Sequence, residues 1–157
     1  MQTNQNTPAL HVARLHASAD PRAFNRQARR DEDFLSLLEA YRATGGLARG
    51  AEIAGRPSSA GFLSLAKDIA TRRALSFVWR DEIWLPVFQF EAGRQTIRRD
   101  VQLIVEELAG ILSDWELTHW FVEPNVWLDD DHPLTHISSA FDRVHDAARA
   151  FRFTQCI

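Results

Sequence analysis

Two histidines and three aspartates lie close together late in the chain, in the segment Asp129-Asp-Asp-His-Pro-Leu-Thr-His136. Histidines four residues apart on one helix, as His132 and His136 would be, can share a metal ion. Pro133 makes His132 at best the first residue of a helix, so the two rings need not lie on the same face. Three acidic residues before a proline are also typical of a turn that caps a helix. We therefore predict no metal site here.

Other residue types that support catalysis are present, but without the arrangement that catalysis needs. A general acid–base pair could be sought among four glutamates, namely Glu106, Glu107, Glu116 and Glu123. The first two flank an apolar stripe, a position typical of solvated carboxylates. Cys156 is next to the last residue and has no base near it in sequence. Since the chain also has no glycine-rich phosphate loop, we predict neither an enzyme nor a bound cofactor.

Length and composition indicate one globular domain. Of the 157 residues, 45% are hydrophobic and 25% are charged, which is the ordinary balance of a folded protein. No apolar run approaches the ~20 residues of a membrane-spanning helix, and the N-terminus lacks the pattern of a secretory signal. A single cysteine excludes an internal disulfide. We expect a cytoplasmic protein that has no contact with a membrane.

The formal net charge of −3 conceals two halves of opposite sign. Residues 1–80 contain twelve Lys and Arg against seven Asp and Glu, whereas residues 81–157 contain six against fourteen. A basic half can contact nucleic acid, and an acidic half can bind a basic protein. Uneven solvation of two faces explains the same pattern, so these alternatives stay open.

The first half is predicted to be helical after a polar start. Residues 1–30 are expected to form a mobile arm. Apolar residues then recur at helical spacing until Gly45-Gly46 ends the helix. A short element over residues 47–54 and a helix over residues 58–73 follow. Residues 31–73 therefore resemble a degenerate helix-turn-helix unit, in which the last helix would be the recognition helix.

This unit has few features that read DNA. Ala60, Gly61 and Phe62 occupy the start of the recognition helix, where base-contacting side chains are expected. Arg72 and Arg73 come at its far end, where they would contact phosphates. We therefore expect weak, salt-sensitive contact with operator DNA through these two arginines.

Residues 74–157 are predicted to form a β-hairpin followed by helices. Large apolar residues, Leu75, Phe77 and Trp79, alternate with Ser76 and Val78. A turn follows, and residues 83–90 are predicted to be extended. Pro86 cannot donate to a ladder, so the second strand is an edge strand or is interrupted there. The predicted fold is mainly α, with N-terminal helix-turn-helix-like helices, one hairpin and a C-terminal helical domain.

Apolar spacing defines the helices of that domain. A stripe from Ile97 to Leu112 predicts one helix, and Ser113-Asp114 caps a short second helix. From Leu134 to Phe151, apolar residues are spaced by alternating threes and fours, which predicts one long amphipathic helix. This stripe is longer than one small core needs, so we predict a homodimer.

Three of the five tryptophans lie in one stretch. Trp115, Trp120 and Phe121 are predicted to form a structural aromatic corner inside the domain. Trp127 follows the helix end at Pro124, in a short acidic loop. An exposed tryptophan beside a proline turn is typical of an anchor in a protein interface.

The order of motifs in this half resembles a known family. Pro86-Val-Phe-Gln-Phe90 is followed by Gly93-Arg94, by Trp120-Phe-Val-Glu-Pro-Asn-Val-Trp-Leu128, and then by Pro133-Leu134 and Ala147-Ala-Arg149. This order is similar to that of the toxin-binding domain of Xre/MbcA/ParS-like bacterial antitoxins. The resemblance covers residues 69–153, and its most specific element is Trp-Phe-x-x-Pro-Asn followed by Leu and Pro-Leu.

The resemblance implies a non-catalytic antitoxin whose partner is a toxin of the RES-domain type. Such a toxin consumes NAD and is blocked when the antitoxin covers its active-site cleft. An upstream helix-turn-helix-like region and dimerisation are also implied. The surface that would face the toxin runs from the Pro-Asn turn to the end of the last helix and includes Asn125, Trp127, Leu128, Pro133, Arg149, Arg152 and Ile157.

Two features depart from the family pattern. The loop leucine is usually followed by one residue and a glycine, whereas this chain has Leu128-Asp-Asp-Asp131. The upstream region also lacks a convincing recognition helix. The alternative function, from a different class, is a DNA-binding transcriptional regulator whose C-terminal domain serves dimerisation alone.

Overall fold

The structure, a computed structural model, describes residues 21–55 and 59–155. They form a mainly α-helical protein with one small antiparallel sheet, which confirms the predicted fold class. In chain order the elements are α1 (Pro21–Tyr41), β1 (Leu47–Arg49), α2 (Gly50–Ala54), α3 (Ala60–Ala70), β2 (Phe77–Trp79), β3 (Glu82–Pro86), α4 (Arg99–Leu108), α5 (Asp114–Trp120), α6 (Pro133–His136) and α7 (Phe141–Gln155). Short 3-10 turns cover Arg42–Thr44, Val87–Gln89 and Val126–Leu128.

Helix α1 is longer than the sequence pattern predicts. Residues 21–30 of the expected mobile arm are helical, and residues 1–20 lie outside the described part of the chain. The side chains described in this first half of α1 are mostly exposed, so no apolar periodicity marks the helix. In its second half, Phe34, Leu37 and Tyr41 are buried at helical spacing. The hydroxyl of Tyr41 donates a hydrogen bond of 2.7 Å to the carbonyl of Thr118, which fixes α1 against α5.

The sheet has the strand order β1-β3-β2 and is antiparallel throughout. Strands β2 and β3 form the predicted hairpin, whose two turn residues, Arg80 and Asp81, both have positive φ, as a tight hairpin turn requires. β3 is the central strand, so the expectation of an edge strand is wrong and the alternative, an interruption at Pro86, is correct.

The third strand, β1, replaces the start of a predicted helical element. Leu47 pairs with Pro86, and Arg49 pairs with Trp84. The supporting element of the helix-turn-helix-like unit is thus reduced to α2, which has five residues. Three residues are too few for an alternation pattern to be recognised, so pairing with β3 decides the structure of this segment.

A fully buried glutamine joins the hairpin to the preceding chain. The side-chain amide of Gln89 accepts a hydrogen bond from the N–H of Leu75 and donates one to the carbonyl of Leu75, both at 2.8 Å. It also donates to the carbonyl of Pro86 at 2.9 Å. Each polar group of the amide therefore has a partner in the core. Both backbone groups of Leu75 are in turn bonded to this amide, as they would be to a neighbouring strand.

The C-terminal helices enclose the main core. α4 packs against α7, and the buried residues of α5 and α6 complete the same apolar cluster. Ser113 caps α5 as predicted, since its hydroxyl accepts from the N–H of Glu116 while the Glu116 carboxylate accepts from the N–H of Ser113. A smaller cluster of buried residues lies under α2 and α3 and consists of Ala54, Leu65, Ala74, Leu85 and Ile97.

The predicted single helix over residues 134–151 is wrong, because a turn at residues 137–140 separates α6 from α7. The N–H groups of Ser139 and Ala140 both bond to the carbonyl of His136, and Arg98 donates to the hydroxyl of Ser138 at 3.0 Å. Serine competes for backbone hydrogen bonds and favours such turns. The stripe is also covered within one chain, since Leu134, Ile137 and Val144 are buried. The homodimer remains a prediction, but the apolar stripe no longer supports it, since the chain itself covers these residues.

We predict that Gln89→Met lowers the free energy of unfolding by about 3 kcal/mol or more, because it leaves one N–H and two carbonyls without partners in the core. Urea denaturation followed by tryptophan fluorescence measures the loss.

Gln102→Met is the matched control. Gln102 on α4 is also buried, but its side chain makes no hydrogen bond with the described residues. This control should shift the unfolding free energy by no more than about 1 kcal/mol. Equal losses from the two substitutions would contradict the role given to the Gln89 amide.

Candidate partner-binding surface

The loop between α5 and α6 is built around one buried asparagine. The side-chain oxygen of Asn125 accepts a hydrogen bond of 3.0 Å from the N–H of Trp127. Its backbone carbonyl accepts from the N–H groups of Leu128 and Asp130, and its own N–H donates to the carbonyl of Asp131. Because Asn125 holds both ends of the turn, the position of Trp127 is fixed by the backbone rather than by side-chain packing alone.

Two consecutive aspartates in this loop have a left-handed backbone. φ is 61° at Asp129 and 62° at Asp130, a region that costs ordinary L-residues energy but that Asp tolerates better than most. Asp130 stands where the resembled antitoxins have glycine, the residue that adopts this backbone most easily. The loop therefore has the left-handed backbone that glycine would favour, although aspartate stands at this position. Asp129 also forms an ion pair of 2.9 Å with Arg143.

The two histidines beside the loop both hydrogen-bond to Asp131, His136 through its ring and His132 through its backbone N–H. Nε2 of His136 lies 2.8 Å from one carboxylate oxygen of Asp131, and the other oxygen accepts from the N–H of His132 at 3.0 Å. These hydrogen bonds, that of His136 above all, hold the pKa of Asp131 below its ordinary value. Among residues 21–55 and 59–155, no group of three or more His, Cys, Asp and Glu could hold a metal ion.

The structure separates the predicted toxin-facing residues into buried and exposed ones. Asn125, Leu128 and Pro133 are buried within the chain, so their part is to hold the loop. Trp127 is 41% exposed, and Arg149 and Arg152 have exposed side chains on the last turns of α7. Ile157 and Cys156 lie outside the described residues.

Trp127 lies next to α7. Its ring meets that of Phe151 edge to face, with 6.3 Å between centroids. On α7, Arg152 bonds to the carboxylate of Glu107 at 2.9 Å, whereas Arg149 only approaches Asp146 at 4.0 Å. The guanidinium of Arg149 is therefore freer to meet a partner than that of Arg152.

The aromatic corner lies beneath this surface. Trp120 is 6% exposed and Phe121 is fully buried, with their rings perpendicular at 5.3 Å. Trp115 is partly buried and packs edge to face on Phe77 of β2. These rings join α5 to the sheet, and they give the loop that carries Trp127 a rigid base.

Two exposed apolar residues beside the predicted ones were not expected. Val126 precedes Trp127 and is 72% exposed, and Phe153 on the last turn of α7 is 71% exposed. Phe153 is two residues from Phe151 and so falls outside the threes-and-fours stripe of α7. An apolar residue off the stripe is the sequence signal that could have identified it.

The arginines expected to contact DNA differ in their surroundings. The guanidinium of Arg72 bonds to the Asp114 carboxylate at 2.8 Å, to the carbonyl of Leu112 at 2.7 Å and to the carbonyl of Ala109. It thus joins the end of α3 to the chain between α4 and α5, and a DNA phosphate would have to compete with these groups. Arg73 is exposed.

The side chain of Gln95 lies over one residue at the start of α3. A Cβ added at Gly61 would clash with the side-chain oxygen of Gln95. The Gln95 amide in turn donates to the carbonyl of Ile53, in α2. In a recognition helix, the first residues must be free to enter the major groove. Gln95 lies over Gly61, whereas Ala60 and Leu63 are exposed but offer no polar side chain for bases.

No family model, no curated protein and no solved structure matches this chain. Within the described residues, no helix is both long enough and apolar enough to cross a membrane.

We predict that Asp130→Gly raises the free energy of unfolding by about 0.5–1 kcal/mol, because glycine adopts the left-handed backbone with no Cβ penalty. Asp130→Ala should lower it by a similar amount, since alanine tolerates the left-handed backbone less well than Asp does. Thermal unfolding of the three proteins gives the order Gly, Asp, Ala. If Gly and Ala are equally stable, the backbone strain assigned to this loop is absent.

Proposed function

We propose that this chain is a non-catalytic, antitoxin-like protein that neutralises an NAD-consuming toxin of the RES-domain type by covering its active site. The observation that carries the proposal is Trp127, a large aromatic ring that is 41% exposed on a turn held by hydrogen bonds to the side chain and backbone of Asn125. The part of the indole that is exposed adds nothing to the stability of the chain, whereas interfaces use tryptophan as a main anchor.

The backbone around Trp127 is already arranged for binding. Asn125 is 6% exposed and fixes the turn, and Leu128 is 1% exposed and attaches it to the core. An anchor held in its bound conformation loses little conformational entropy on association, so more of the contact energy remains as affinity.

Two arginines of this face can meet carboxylates of a partner, although the neighbouring turn is itself acidic. Arg149 and Arg152 have exposed side chains near the end of α7, and Trp127 contacts α7 through Phe151. Guanidinium groups bind carboxylates in a bidentate manner, and an NAD-consuming cleft that contains carboxylates would pair with them. In this proposal Trp127 anchors the antitoxin and the arginines close the mouth of the cleft.

The alternative, a DNA-binding regulator, has less support. The exposed side chains of α3 include Leu63, Ser64 and Lys67, which form no basic surface, and Gln95 lies over Gly61 at the start of the helix. Arg73 remains available for a phosphate contact. Operator binding is therefore proposed only as a weak, salt-sensitive accompaniment to toxin binding.

We predict that Trp127→Ala abolishes protection when the chain is produced together with the toxin from the neighbouring reading frame. Removing a central tryptophan anchor typically costs about 2 kcal/mol or more of binding, which is a loss of about thirtyfold in affinity. The measurements are survival of the cells and the dissociation constant of the purified pair.

Leu63→Ala is the matched control, because Leu63 is also an exposed apolar residue, 61% accessible, but lies on α3. This variant should protect as well as the parent protein does. Both variants should melt within about 3 °C of the parent, since neither side chain is in the core. A Trp127→Ala protein that still protects would overturn the proposed binding surface.

A further inference from the structure

A groove of about 400 Å³ lies between α1, α5 and α7, next to the Trp127 surface. Its apolar wall is mostly aromatic and consists of Leu112, Trp115, Trp120 and Phe151. His119, whose ring packs on Trp115, also lines the groove, and Phe151 contacts Trp127 as well. The groove brings together residues from three distant parts of the sequence, so no local motif indicates it. The proposed toxin contact through Trp127 and the arginines of α7 does not involve the carboxylates of this groove.

The rim of the groove is acidic. Three carboxylates line the rim: Asp33 on α1, Glu116 on α5, and Glu123 in the loop after α5. No lysine or arginine is among the described residues that line it. Glu116 is hydrogen-bonded to Ser113, which keeps its pKa below the ordinary value and the carboxylate ionised. Asp33 and Glu123 form no ion pair with any of the described residues. Two carboxylates are therefore free to meet a cation.

We propose that this groove binds an arginine side chain from a basic segment of a partner protein. Flat aromatic rings beside carboxylates match the guanidinium group, which stacks on a ring with its face and bonds to carboxylates with its edge. A lysine ammonium is a compact, strongly hydrated charge and uses the rings less well. The inference does not depend on the partner being a toxin.

The test uses the full chain labelled with ¹⁵N and a synthetic peptide, acetylated and amidated, of glycine and serine with two arginines. A second peptide has lysines in place of the arginines. Two-dimensional NMR follows the indole N–H signals of Trp115 and Trp120 during each titration. The variant is the double substitution Asp33→Asn with Glu123→Gln, which keeps the shapes of the side chains. Glu32→Gln, one residue away on α1 and outside the groove, is the matched control.

The expected result is a shift of both indole signals by the arginine peptide, with binding at least about fivefold tighter than that of the lysine peptide. The double variant should weaken binding by about tenfold, and Glu32→Gln should leave it within about twofold. Equal binding of the two peptides, or equal losses in the double variant and the control, would show attraction to net negative charge and overturn the proposal. So would the absence of indole shifts at millimolar peptide.

Discussion

The side-chain amide of Gln89 makes the contacts on which the position of the hairpin depends. It pairs with both backbone groups of Leu75 and with the carbonyl of Pro86, in a site with no exposed surface. The backbone carbonyl of the same residue accepts from the N–H of Arg98, directly before α4. One residue therefore links the chain entering β2, the end of β3 and the start of α4. Because each of these groups is buried, a substitution that removes the amide cannot be compensated by water.

The candidate surface is built on this frame. The aromatic rings of α5 pack against β2 through Trp115 and Phe77, and the loop after α5 begins where Trp120 and Phe121 enter the core. Asn125 then turns the chain so that Trp127 faces outward while Leu128 returns to the core. The exposed tryptophan is thus supported by buried residues on both sides. The structure thus separates the buried residues that hold the loop from the exposed ones, which the motif alone does not distinguish.

The sequence predicted the features that have long or strongly patterned signals. The second half of α1, the hairpin turn at Arg80-Asp81 and the Ser113 cap of α5 follow from spacing and from residue type. What it could not predict depends on contacts between distant residues. β1 is a strand because β3 lies beside it, and Arg72 is held by Asp114 and by carbonyls forty residues away in sequence. The turn at residues 137–140 could not be predicted, because the apolar residues continue at helical spacing through it. The exposure of Trp127 was predicted from its place after Pro124, but its contact with Phe151 was not.

The central claim is that the partner binds the face formed by the Asn125–Asp131 turn and the end of α7. Amide hydrogen exchange of the chain, alone and with a candidate toxin of the proposed type, tests this claim most directly. The account predicts slower exchange on binding over residues 124–132 and 149–155, with no change over residues 60–70 of α3. Protection confined to α3, with the turn and α7 unchanged, would contradict it.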